Sequence, residues 1–128
     1  MEFWIKSIPQ AEQREPFWCG DYWFPCEGLT NIRVSETGNE DYSFLIALHE
    51  MVESWLIKKK GIPERDIHLF DKKFDESGKE GEPGDDPNAP YYWEHQSATR
   101  IEKLMCDYLK LDWEAYDKAI DALFEKED

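Results

Sequence analysis

Apolar residues in the first 35 positions come in short runs separated by turn formers: Phe3-Trp4-Ile5, then the aromatic stretch Tyr22-Trp23-Phe24, then Leu29, Ile32 and Val34. Aromatic and β-branched enrichment in runs of this length predicts strands. Breaks at Pro9, Pro16, Gly20, Pro25 and Gly28 separate about three of them, and adjacent connections predict an antiparallel meander. From Asn39 the period changes. Phe44, Leu45, Leu48, Met51, Val52, Trp55 and Leu56 recur at helical spacing up to Lys58-Lys59-Lys60-Gly61. Asn39 suits the N-cap, the lysines suit the negative helix end, and Gly61 suits a left-handed C-terminal position.

A second helix starts at Pro63, placed at the first helical position, and buries Ile67, Phe70 and Phe74 before Ser77-Gly78. The segment 78–90 is rich in Gly, Pro and acid and has no periodicity, so it reads as a loop leading into the next helix. That helix runs from Tyr92 to Leu109 with Ala98, Ile101, Met105, Tyr108 and Leu109 on one arc. A last helix opens at Asp112, a good N-cap, and uses Trp113, Tyr116, Ile120, Leu123 and Phe124. The predicted class is α+β: a small antiparallel sheet of about three strands followed by about four helices. The 128 residues make one domain, strand-rich over 1–35, helical over 39–76, an acidic loop over 78–90 and helical again over 92–127.

Charge changes the picture of partners rather than of fold. The formal net charge is −14, concentrated in 36–53, 71–88 and 112–128, which excludes direct binding to nucleic acid through a basic face. Acidic faces of this kind either hold cations or occupy a basic protein partner in the manner of a nucleic-acid mimic. No run is long enough to span a membrane, and Met1 to Gln10 lacks the basic start and apolar stretch of a secretion signal, so a cytoplasmic location is expected. Cys19, Cys26 and Cys106 are an odd number for a disulfide framework and are expected to be reduced thiols.

The candidate chemistry lies on the helices. His49 and Glu53 are four residues apart, so their side chains stack on one helix face and can chelate one metal ion. The wheel places both at the edge of the apolar arc, half buried. His95 and Glu102, seven apart, likewise border the arc of their own helix, and Asp71 lies beside Phe70 and Phe74. A charge is costly to desolvate unless it is paired or metal-bound, so three helices with such groups at the margin of a buried face predict one shared polar site. The predicted ligands are His49, Glu53 and His95, with Asp71 and Glu102 as a further ligand or outer support. Histidine with carboxylate suits one divalent transition metal, zinc ahead of iron or manganese.

The run Leu45-Ile46-Ala47-Leu48-His49-Glu50-Met51-Val52-Glu53 resembles the active-site helix of zincin metallopeptidases, whose motif is His-Glu-x-x-His after a short sheet. The resemblance implies a zincin-like core, a ligand role for His49 and a general-base role for Glu50, with Glu53 standing where the family has its second histidine. The longer pattern, from Leu48-His49-Glu50 through Phe70-Asp71 and Gly81–Pro87 to Glu94-His95 and Glu102, is similar to small uncharacterised phage and bacterial proteins. A weaker likeness, through Glu50 and Glu53, is to all-α nucleotide pyrophosphohydrolases, which hold magnesium on Glu-x-x-Glu. The function expected is a metal-binding protein acting as a zinc-dependent hydrolase; the alternative is a non-enzymatic acidic interaction protein that inhibits a basic partner.

Overall fold

The computed structural model describes residues 1–125. Strands β1 (Glu2–Ile8), β2 (Gly20–Cys26) and β3 (Leu29–Ser35) form one sheet in the order β1-β3-β2. β2 and β3 are antiparallel, joined by a tight turn in which Gly28 takes φ 82. β1 instead runs parallel to β3, from Glu2 opposite Leu29 to Ile8 opposite Ser35. The sheet is therefore mixed, not the antiparallel meander predicted from short connections. The cause is the segment after Pro9, which forms a 3-10 turn (Gln10–Glu12) instead of a hairpin. Gln10 donates to the Trp18 carbonyl at 2.8 Å, and Gln13 donates to the Cys19 carbonyl at 3.1 Å and to Ser35 Oγ at 2.9 Å. These bonds hold the start of β2 one strand width from β1, and β3 fills the gap.

Helix α1 (Glu40–Lys60) covers the sheet. Asn39 caps it, its side-chain oxygen accepting from Asp41 N at 3.0 Å and Tyr42 N at 3.3 Å, and Gly61 ends it at φ 74. Helix α2 (Glu64–Glu76) follows; Pro63 lies just outside it, since its ψ of 136° is extended and not helical. The acidic loop contains one 3-10 turn (Pro83–Asp85) before α3 (Tyr92–Tyr108). Helix α4 (Trp113–Leu123) begins with Asp112 accepting from Ala115 N at 3.1 Å. Of the helical reading over 92–127, the last two positions lie outside the described residues. All three cysteines are free thiols.

The apolar interior is split in two. Ile32 and Val34 of β3 pack with Leu45, Ile46 and Ala47 of α1, Cys106 of α3, and Tyr116 and Ile120 of α4. A second cluster gathers Ile57, Ile67, Ala89 and Tyr91. Helices α1 and α3 span both clusters in antiparallel directions, so the residues between Ala47 and Ile57 on one, and between Tyr91 and Cys106 on the other, form a layer between two apolar cores. That layer is polar. His49, Glu53, His95 and Glu102 are buried there, at the centre of the helix faces and not half buried at their edges. The apolar arc predicted for α3 is correspondingly rotated: Ile101 and Tyr108 are exposed, while Glu94, His95, Ala98, Glu102 and Cys106 face inward.

Candidate metal centre

The site is built from the facing turns of α1 and α3. His49 and Glu53 come from α1 with the four-residue spacing that stacks them, and His95 comes from the first turns of α3. His49 Nε2, Glu53 Oε1 and His95 Nδ1 form a triangle with sides of 3.3, 2.9 and 3.2 Å. Two ligand atoms about 2.0–2.1 Å from one tetrahedral ion lie about 3.3 Å apart, so the triangle has nearly the dimensions of one face of such a coordination sphere.

The outer nitrogens of both rings are engaged elsewhere. His49 Nδ1 lies 2.7 Å from Glu102 Oε1, and the other oxygen of Glu102 accepts from the Tyr116 hydroxyl at 2.6 Å. His95 Nε2 lies 2.9 Å from Glu82 Oε2 and 3.3 Å from Asp85 Oδ1. A carboxylate only accepts, so each outer nitrogen carries the hydrogen and each neutral ring turns a lone pair inward. Two nitrogen lone pairs and a carboxylate oxygen then converge, an arrangement that suits a cation.

Protons are the cation at hand in the metal-free chain. Burial lowers the His49 pKa, but its hydrogen bonds to Glu102 and Glu53 outweigh that and hold it well above the ordinary value. His95 is raised too, burial being overcome by Asp85, Glu53 and Glu82. Glu53, despite burial, is held down to about 2 by the two imidazoles. A metal ion entering this triangle displaces those protons. The buried His49, Glu53 and His95 cluster can thus hold a metal ion.

Glu102 therefore supports a ligand ring from outside instead of reaching the triangle. Asp71 lies outside the triangle; of the two roles expected for it, further ligand or outer support, its contacts fit the second, through Tyr91. Its oxygens accept from Trp18 Nε1 at 2.9 Å and from the Tyr91 hydroxyl at 2.5 Å. Tyr91 in turn lies edge-on to the His95 ring, with centroids 6.1 Å apart. Burial is the main cause that raises the Asp71 pKa from 3.8 to about 6. The folded pKa lies above the unfolded one, so stability is fullest below pH 4 and falls as pH rises through 6, by about 3 kcal/mol for a shift of this size. Asp71→Asn sacrifices one of the two hydrogen bonds at every pH but removes that slope. Urea unfolding between pH 4 and 7 is expected to show the variant gaining on the parent as pH rises; parallel curves would contradict it.

Glu82 and Asp85 were not singled out by the sequence, where they are two acids among many in an aperiodic loop. The signals are that the loop leads directly into the helix of His95 and that Gly81–Pro87 belongs to the same longer sequence pattern as His49 and His95. Gly84 between them explains the close approach: a Cβ there would lie 2.4 Å from His95 Cγ and 2.5 Å from its Nδ1. No side chain fits, so Gly84→Ala must displace either the loop or the ring. Metal titration of that variant is expected to show at least a tenfold loss of affinity, the low end of the effect of disturbing a ligand's outer support. Unchanged affinity would mean that the loop does not hold His95.

Glu50 follows His49 in the chain and turns toward the sheet. It lies directly over Gly20, where a Cβ would come within 2.8 Å of its Cδ and Oε1. Burial and the nearby Glu53 carboxylate raise its pKa well above the usual range. Comparison with family models, curated proteins and solved structures finds no match to this chain. No helix among the described residues is long and apolar enough to cross a membrane.

Proposed function

We propose that the protein is a metal-dependent hydrolase. One divalent transition metal is held by His49 Nε2, Glu53 Oε1 and His95 Nδ1. The observation that carries this reading is the inward triangle of 2.9–3.3 Å with both outer ring nitrogens committed to carboxylates. Two imidazoles and one carboxylate match a common catalytic zinc set, which leaves a position for water; iron and manganese are the alternatives.

Glu50 is the general base. Its carboxyl follows the ligand His49 on the same helix, and burial and the Glu53 carboxylate raise its pKa, so it holds a proton more readily than an ordinary carboxylate does. It takes a proton from water, the hydroxide oxygen adds to an amide or ester carbonyl carbon, and the bond to the leaving group breaks as the proton passes to it. The likeness of the Leu48–Glu53 run to the zincin helix supports the same roles, with Glu53 as the second ligand and His95 supplying the third from another helix.

The test is turnover by zinc-loaded full-length protein against peptide, ester and nucleotide panels, before and after chelation. Hydrolysis that disappears with the metal and returns on reloading is expected. Full metal occupancy without turnover on any panel would overturn the enzyme and leave a metal-holding acidic protein that acts on a basic partner.

A further inference from the structure

We propose that the site takes a neutral or cationic acyl compound, an amide or ester carried beside a lysine- or arginine-like cation, and turns away phosphate esters. The inference rests on the hydrolase reading above and adds the class of substrate. Its basis is uncompensated charge. Glu50, Glu53, Glu82, Asp85 and Glu102 surround the two imidazoles, and among the described residues no lysine or arginine forms an ion pair with any of the five. Lys60 is taken by Glu94 at 3.6 Å and Lys79 by Asp86 at 3.8 Å. One divalent ion offsets two of the five charges and leaves the site negative.

Two of the five carboxylates reach solvent. The side chains of Glu82 and Asp85 are 49% and 55% exposed. Glu50 is partly exposed and makes no hydrogen bond among the described residues. Asp117 on α4 lies in the same field: burial, Asp121, Glu82, Glu102 and Asp85 all raise its pKa. A compound approaching His95 from the side of Glu82 and Asp85 meets carboxylates first. A mouth of one sign concentrates opposite charge and repels its own. A phosphate ester brings one or two negative charges to a site where, among the described residues, no lysine or arginine pairs with the carboxylates.

Matched probes test this without a known substrate. Two acetylated peptide hydroxamates, one flanked by lysine and one by glutamate, and inorganic phosphate are titrated calorimetrically onto the zinc-loaded full chain, whose metal content is measured first. The lysine probe is expected to bind at least about tenfold more tightly at low salt, with the gap shrinking near about 0.5 M salt. Asp117→Asn, which touches no ligand, is expected to narrow the gap severalfold. Equal affinities, or tighter binding of the glutamate probe or of phosphate, on metal-loaded protein would overturn this inference alone. Absence of bound metal would overturn it together with the reading beneath it.

Discussion

Replacing His95 by alanine is expected to lower divalent-metal affinity by about two to three orders of magnitude. Structural zinc sites contribute about 10–16 kcal/mol from four ligands, so one ligand carries about 2.5–4 kcal/mol. The substitution removes the Nδ1 corner of the triangle and leaves Glu82 and Asp85 without the nitrogen they now share. Tyr91 and Gly84, which pack on the ring, lose their contact as well. Competitive titration with a chromophoric chelator reads the affinity, and circular dichroism checks that the helices persist. Glu102→Gln is the milder companion. It keeps the shape while weakening the hold on His49 Nδ1, and a loss of about 10–100-fold is expected for this outer support. A His95→Ala variant that binds metal as tightly as the parent would remove His95 from the ligand set.

Glu50→Gln is expected to keep the metal and the fold and to lower turnover by about two orders of magnitude or more, the usual contribution of a general base. The amide keeps the shape of a side chain that lies against Gly20, so packing changes little. It also removes a half-buried carboxylate whose pKa is raised by that burial and by Glu53, so unfolding measurements are expected to show no loss of stability. Gly20→Ala supplies an independent version: the new methyl pushes the Glu50 carboxylate aside without altering its chemistry, and turnover is expected to fall in the same direction. Retained turnover in Glu50→Gln would show that another group takes the proton.

Local signals in the sequence are sufficient for most of the fold. Asn39 and Gly61 bracket α1, and Asp112 opens α4, because caps and left-handed glycines act within a few residues. Strand direction is not local. Whether β1 pairs with β2 or with β3 depends on how Gln10 and Gln13 fasten the segment after Pro9, and nothing in the apolar pattern encodes that. The site is more deeply buried than the apolar pattern predicts, for a related reason. Helix α1 is apolar on the side facing the sheet and also packs against α3, so a single arc drawn through its hydrophobic residues misplaces the centre of the buried face. His49, Glu53 and His95 were legible as a group because imidazole and carboxylate at helical spacing are rare on buried faces. Their outer partners were not. Tyr116 reads as an ordinary core aromatic, and Glu82 and Asp85 as solvated charge, until the fold places them against Glu102 and His95.

A metal ion held in the polar layer between the two apolar clusters is the proposal on which the others rest. Elemental analysis of the full-length protein, dialysed free of loose ions after zinc loading and compared with the double variant His49→Ala/His95→Ala, tests it most directly. The predicted result is about one equivalent of zinc per chain in the parent and none in the variant. A parent that emerges from dialysis without metal, or a double variant that retains as much as the parent, would contradict the account.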